Sequence, residues 1–246
     1  MVLANTLRTV PLFSQLREGD LDVLAPLLMP REYAKNRVIL FANDACDAFY
    51  VVASGQVKLM LIAEDGREVI LSVMRPGDFF GEMALMDEEP YASSAIAMED
   101  STLLVLSRSD FRRCLTEIPG MSLGLLRALC GRLREADDKI GGLILLDVMG
   151  RVSQLLLEMA AQKGGDLIPD PPTHQVMAQM VGTSRETVSR TISALTAQKS
   201  IAGVSGGIRI LNQAALENAA GQTLRRRLKV VPAGVRERRE ARGEAL

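Results

Sequence analysis

Residues 173–198 read THQVMAQMVGTSRETVSRTISALTAQ, and the fold turns on how that stretch divides. Gly182 splits it into two short helices. In the second, Val188, Ile192 and Leu195 recur at i, i+4 and i+7, the spacing of one apolar helix face, and are expected to meet a core. Arg185, Glu186, Ser189 and Arg190 fall on the other side, crowded into the first turns. Thr183 is expected to cap this helix, with Glu186 three residues later completing a capping box. Two helices around a glycine-containing turn, the second with a polar N-terminal face, make the helix-turn-helix pattern, whose second helix enters the DNA major groove. A blander reading of the charges is a solvated ion pair, since Glu186 and Arg190 stand at i, i+4.

At 246 residues the chain has room for about two domains. Hydrophobic residues make up 48% of it, yet no apolar run approaches the ~20 residues of a membrane span. The start, MVLANTLRTVPLF, lacks a charged segment followed by an apolar block, so no signal peptide is expected and the cytoplasm is the expected location. Cys46, Cys114 and Cys130 are an odd, scattered set, which suits a reducing compartment better than a disulfide framework. Their spacing supplies no metal site. The net charge of −1 conceals an uneven distribution. Residues 224–246 hold eight Lys/Arg against three Glu, a net of +5, while 151–223 carry six basic and five acidic side chains. The remainder is acidic, so the basic character gathers at the helix-turn-helix end.

The N-terminal half has a different period. A helical lead-in is expected over residues 7–28, with Leu21, Leu24, Leu27 and Leu28 as its apolar stripe. Short strands follow at 38–41, 48–52, 57–62, 69–74, 95–97 and 103–106, separated by turn residues, and Asp65-Gly66 is a hairpin signal. Segment 79–86 is expected to follow the Pro76-Gly77-Asp78 turn, and the methionines of 83–98 to join the core. Such strands argue for a small antiparallel barrel or sandwich whose corners use Gly55, Gly66, Gly77 and Gly81 at positive φ. Asn43 tolerates the same conformation. From residue 121 to about 146 the pattern is one long helix. Leu126, Leu133 and Ile140 repeat every seven residues, with Leu129, Ala136 and Leu143 between them, a seam suited to a parallel two-helix dimer or to packing on the chain's own strands. Asp147 is expected to cap the next helix, from 148 to about 161. Residues 164–172 look like a turn-rich connector, and Thr173 caps the first helix of the motif. Segments 201–204 and 208–211 around Gly206-Gly207 suggest a two-strand wing, and 212–221 a short terminal helix.

Four of these stretches, GTSRETVSR, LLDVMGR, DAFYVVASGQVKL and RPGDFFGEMALMDEEP, resemble the CRP/FNR family of bacterial transcription regulators, and the resemblance runs over roughly residues 10–211. It implies an α+β chain: an N-terminal antiparallel β-roll (a double-stranded β-helix) of the cyclic-nucleotide-binding kind over 1–120, a dimerisation helix over 121–147 and a winged helix-turn-helix over 148–223; the charge count sets off 224–246 as a basic tail. By that resemblance Arg185, Glu186 and Arg190 are the base-reading residues. Thr173, His174, Gln175, Thr183, Ser184 and Ser189 are candidates for phosphate contact and positioning. Leu126, Leu129, Leu133, Ile140 and Leu143 form the dimer seam, with Asp147 at the hinge.

The resemblance fails in the effector pocket. Nucleotide-binding relatives run from a Gly-Glu pair, whose Glu holds the ribose hydroxyl, to an Arg-Ser-Ala whose Arg and Ser hold the cyclic phosphate. Gly81 and Glu82 are present, but where the Arg-Ser-Ala is expected stand Tyr91-Ala92-Ser93 or, with a one-residue gap, Ala92-Ser93-Ser94. Neither Tyr nor Ala replaces the charge of a bidentate guanidinium. Relatives also use a Thr-Ser pair on the dimer helix, where this chain has Ala136-Asp137. The implied protein is a homodimeric DNA-binding regulator, a partner of double-stranded DNA and RNA polymerase, without a metal or cofactor and independent of cAMP. Two alternatives stand beside it: a regulator gated by another ligand such as cyclic di-GMP through a pocket near Glu82, Tyr91 and Asp137, and a nucleotide-binding module without DNA function. The helix-turn-helix argues against the second. His174 is the only histidine and lies outside the β-roll, which disfavours a haem sensor, and no acid, base or nucleophile cluster suggests an enzyme.

Overall fold

A computed structural model describes residues 7–8 and 10–221, so the basic tail lies outside the described residues. The chain divides into two compact units, the first ending at Asp137 and the second beginning at Asp138.

The first unit holds eight strands in two four-stranded antiparallel sheets. One has the order β1-β8-β3-β6, from Met29–Tyr33, Ser101–Ser107, Ala48–Ser54 and Phe79–Phe80. The other has the order β2-β7-β4-β5, from Val38–Leu40, Ser94–Ala97, Val57–Ile62 and Glu68–Met74. Only β4 and β5 pair as a simple hairpin, on Asp65-Gly66. Strand β3 is paired on both sides, and its first five residues are buried, which accounts for their unbroken apolar character. Phe49 ties the core together, with its ring 5.4 Å from Phe79 and 4.8 Å from Phe111. The expected corners hold: φ is 82° at Gly55, 80° at Gly66, 93° at Gly77, 89° at Gly81 and 69° at Asn43.

Several expectations need correction. The lead-in is a short helix α1, Glu18–Leu24, followed by one turn of 3-10 helix around Pro26, not a continuous helix to residue 28. Segment 79–86 is strand for only two residues and then becomes α2, Glu82–Asp87. Its methionines are not core, because Met83 and Met86 are more than half exposed. Two elements lie outside the expected set, strand β1 and helix α3, Arg108–Glu117. The first, MPREY, has an exposed face and a proline at the sheet edge, where its missing N–H is harmless. Helix α3 is capped by Ser107, whose hydroxyl accepts from the Asp110 N–H. Helix α4, Pro119–Leu145, is the long one.

The second unit contains α5, Val148–Gln162; β9, Leu167–Pro169; α6, His174–Val181; α7, Arg185–Ala197; β10, Ile201–Val204; β11, Gly207–Ile210; and α8, Gln213–Ala219. The wing has three strands rather than two. The connector contributes β9, which pairs with β11 in the order β10-β11-β9. Only three residues pair there, too few for a period to show in sequence. Val152, Leu156, Met177, Val188, Leu195, Ile201 and Leu216 form the core. Asp147 caps α5 as expected, accepting from the Gly150 N–H at 2.8 Å. Gly150 must be small, since a Cβ there would sit 2.6 Å from the Ala219 carbonyl oxygen. Arg151 donates to two helix-end carbonyls, Leu146 and Val181, each at 2.9 Å, which satisfies groups left without helical partners.

Candidate nucleic-acid interface and sensor pocket

The turn of the helix-turn-helix is built from caps. Thr173 accepts from the Val176 N–H at 3.3 Å and starts α6. Gly182 ends it in the left-handed conformation at φ 67°, its N–H returning to the Ala178 carbonyl. Thr183 also donates its N–H to Ala178, and so belongs to the turn. The cap of α7 is Ser184, not the expected Thr183: its Oγ accepts from the Thr187 N–H at 3.2 Å. A helix beginning one residue later places Glu186 at its second position, where no capping box forms. The first turn instead holds the Glu186 carboxyl below its usual pKa, through its own backbone N–H first and the Ser184 hydroxyl second.

This geometry gives α7 two unlike faces. Val188, Thr191 and Leu195 are buried and Ile192 packs against the core. Arg185, Glu186 and Arg190 are all exposed, and Arg190 reaches the Thr187 hydroxyl at 3.2 Å rather than Glu186. Thr173, Gln175 and Ser184 are also exposed, while His174, Thr183 and Ser189 are half-buried. Two fixed cations and one fixed anion therefore stand in one exposed first turn and a half, with the hydroxyls of the caps close by in sequence. Side chains of these types can bridge to base edges and phosphates.

In the first unit the charges are used differently. Gly81 turns at φ 89°, and a Cβ there would lie 2.8 Å from the Ala48 carbonyl oxygen, so the chain passes close to β3 before Glu82. Glu82 is 2% exposed and accepts from Arg132 Nη1 at 2.5 Å. Arg132, on α4, also donates through Nη2 to the Phe79 carbonyl and lies over the Phe79 ring, 4.3 Å from its centroid. Burial raises the Glu82 pKa and Arg132 opposes that shift. The second carboxylate oxygen, Oε2, is buried without a hydrogen-bond partner.

Tyr91 turns into the roll. It is 5% exposed, and its hydroxyl donates to the Ala48 carbonyl at 3.2 Å while the Asp47 and Ala48 N–H groups point to it at 3.3 and 3.4 Å. Burial, then Cys46, pushes its pKa up, so the phenol stays neutral. Ala92 is exposed and Ser93 half-buried. Ala136 and Asp137 are exposed on α4. Arg132 was not anticipated from sequence. The available signal was an arginine at the position just before a seam leucine, flanking the apolar stripe. On that stripe Leu126, Leu133, Ile140 and Leu143 are more than half exposed, whereas Leu129 packs against the roll.

Cys114 is buried, and burial raises its thiol pKa; Cys46 is buried and Cys130 exposed. Among the described residues no group of three or more His, Cys, Asp or Glu could hold a metal, and no helix is long and apolar enough to cross a membrane.

The fold thus contains an antiparallel β-roll and a winged helix-turn-helix, which is the make-up of a DNA-binding regulator. Residues 30–117 match the cyclic nucleotide-binding domain and residues 150–219 the Crp-like helix-turn-helix domain. The chain is 35% identical over 210 residues to the Cyclic AMP receptor protein of Thermus thermophilus, covering 85% of this chain and 96% of that protein. It is 33% identical over 187 residues to the CRP-like cAMP-activated global transcriptional regulator of Mycobacterium tuberculosis, covering 74% and 84%. The solved structure of FixK2 from Bradyrhizobium japonicum is similar at a TM-score of 0.70 and 26% identity, over 78% of this chain and 96% of that one. The chain belongs to the CRP/FNR family of DNA-binding transcription regulators.

Proposed function

We propose that this regulator acts as a homodimer on a pseudo-palindromic site and binds it without cAMP. Its functional divisions would be a sensor over 1–120, a dimer helix over 121–147 hinged at Asp147, a reader over 148–223 and a tail over 224–246. The exposed face of α7 carries the DNA reading. Arg185 and Arg190 suit guanine O6 and N7, and Glu186, held ionised, suits cytosine N4. Thr173, His174, Gln175, Thr183, Ser184 and Ser189 would contact phosphate or position the helix. Two copies joined along the α4 seam would set half-sites about 34 Å apart. No catalytic role is assigned. RNA polymerase is the expected protein partner, and the cytoplasm the expected location.

The observation that carries the cAMP independence is the pair of side chains where a ligand's charge would be met. Tyr91 is buried and neutral, and Arg132 already engages Glu82. The orphaned Glu82 Oε2 favours one second reading, gating by a ligand other than cAMP that offers a hydroxyl to that oxygen, cyclic di-GMP among the candidates. Fluorescence anisotropy on the family-type duplex TGTGA-N6-TCACA against a scrambled duplex tests the proposal, run without ligand, with cAMP and with cyclic di-GMP. Specific binding without ligand is expected. Binding that appears only with cAMP overturns the reading, and binding only with cyclic di-GMP replaces it with the effector-gated one. The tail, with its +5 charge, is expected to add non-specific phosphate attraction, so truncation after Thr223 should flatten the salt dependence.

A further inference from the structure

The α4 seam defines a heptad in which Leu126, Leu133 and Ile140 hold the a positions and Leu129, Ala136 and Leu143 the d positions. Arg132 is then a g residue and Asp137 an e residue. The two flanks of the helix differ sharply. On the g side Leu125 is buried and Arg132 reaches Glu82, so as far as Arg132 this flank lies on the chain's own roll, while Lys139 is exposed. On the e side Cys130, Asp137 and Ile144 are all exposed. In a parallel pair of such helices a g residue meets the e residue five positions later on the other helix. Arg132 and Asp137 are five positions apart. The other g–e combinations, Leu125 with Cys130 and Lys139 with Ile144, bring no opposite charges together. Arg132 has capacity left: a guanidinium has five N–H donors, Glu82 and Phe79 take two, and its side chain is 30% exposed.

We propose that the partner subunit's Asp137 pairs with Arg132 across the seam, so that each half of the dimer contains a Glu82–Arg132–Asp137 chain of charges drawn from both subunits. The inference rests on the homodimer proposed above. It assigns a role to two residues that differ in character: Arg132 reads the interior carboxylate of its own roll and the helix of the other copy at once. The pair fixes the parallel orientation, since antiparallel packing sets g against g and e against e. It also gives the sensor a protein carboxylate at the seam in place of a ligand contact.

The test is sedimentation equilibrium of the full chain across a protein concentration series, in low and high salt. Asp137→Asn should raise the dimer dissociation constant about fivefold, from two symmetry-related pairs of ordinary strength, and Asp137→Lys should raise it further. Glu135→Gln, an equal charge change on the outer face of α4, should leave it unchanged. The Asp137→Asn effect should shrink in high salt and disappear in an Arg132→Gln background. If Asp137→Asn behaves like Glu135→Gln, or costs the same without Arg132, the pair does not exist although the dimer does. A wild-type chain that stays monomeric at tens of micromolar overturns the dimer and the pair together.

Discussion

The two charged clusters of this chain, one on α7 and one around Glu82, differ in what their charges face. Arg185, Glu186 and Arg190 stand exposed on a helix whose other side is core. Glu82 and Arg132 face each other, one of them buried, with an aromatic ring and a carbonyl completing the site. A surface that waits for an external partner keeps its charges hydrated until binding. A site whose charges are matched internally has its electrostatic partner built in. The comparison separates charges presented to an outside partner from charges matched inside the fold, where Arg132 occupies the Glu82 carboxylate and Tyr91 is buried in the roll.

The largest expected effect comes from breaking the internal match. Arg132→Ala removes the cation from a buried carboxylate, a change that costs about 3–5 kcal/mol when both partners are buried. Solvent reaching the arginine, at 30% exposure, puts the expectation at or below the lower end of that range. The pH dependence has a defined sign. Burial raises the folded Glu82 pKa above its ordinary value near 4.5, so the folded state holds the proton longer than the unfolded one. The contribution is therefore most favourable below about 4.5 and is lost as pH rises from there through the folded pKa. Without Arg132, which opposes that rise, the folded pKa moves further up and the loss extends to higher pH. Urea melts at pH 5 and pH 7.5 should show the variant's deficit growing with pH. Glu82→Gln in the same background should remove that growth. A deficit independent of pH would mean that Arg132 acts through packing on Phe79 instead.

Arg185→Ala sharpens the other side of the comparison. The side chain makes no buried contact, so the fold and the dimer should be untouched. Loss of one bidentate base contact should cost about 1–3 kcal/mol of discrimination on the palindrome, with binding to the scrambled duplex falling much less. Anisotropy titrations on both duplexes measure this directly. Equal losses on the two would reduce Arg185 to a phosphate contact, and no loss would remove α7 from the major groove.

The sequence exposed the two regions unequally for a physical reason. Segment 173–198 carries local information: a glycine at a left-handed cap, hydroxyls at helix starts and an apolar face with helical period, each acting within a turn or two of chain. The β-roll corners were legible in the same way, through glycines whose φ the turns dictate. The Glu82–Arg132 pair spans 50 residues, and nothing local marks it. Tyr91 could be read as a missing arginine, but not as a phenol buried against β3, because its partners, the backbone of Asp47 and Ala48 and the Asp47 carboxylate, lie 43 and 44 residues away. Strand β9 was lost for a third reason: three residues of strand are too short for a period to register. Exposure of Met83 and Met86 shows the limit of composition, since an apolar side chain on a six-residue helix faces solvent on at least one side.

The smallest expected effect concerns the cap of α7. Thr183 and Ser184 are both good caps, and a capping box with Glu186 favoured Thr183. The fold chose otherwise because Thr183 is already held by its N–H to the Ala178 carbonyl, in the turn that closes α6. That leaves Ser184 in extended geometry, ψ 154°, with its hydroxyl over the Thr187 N–H. Ser184→Ala should then cost about 1 kcal/mol of stability, while Thr183→Ala should cost a few tenths. Thermal melts of the two variants separate these values. The DNA readout adds a second consequence, because the cap orients the first turn that carries Arg185 and Glu186. Ser184→Ala should weaken binding to the palindrome more than to the scrambled duplex, and Thr183→Ala should weaken both alike if its only role is a phosphate contact. The reverse pattern would place the start of the reading helix one residue earlier, with Glu186 drawn back into the cap and away from the bases.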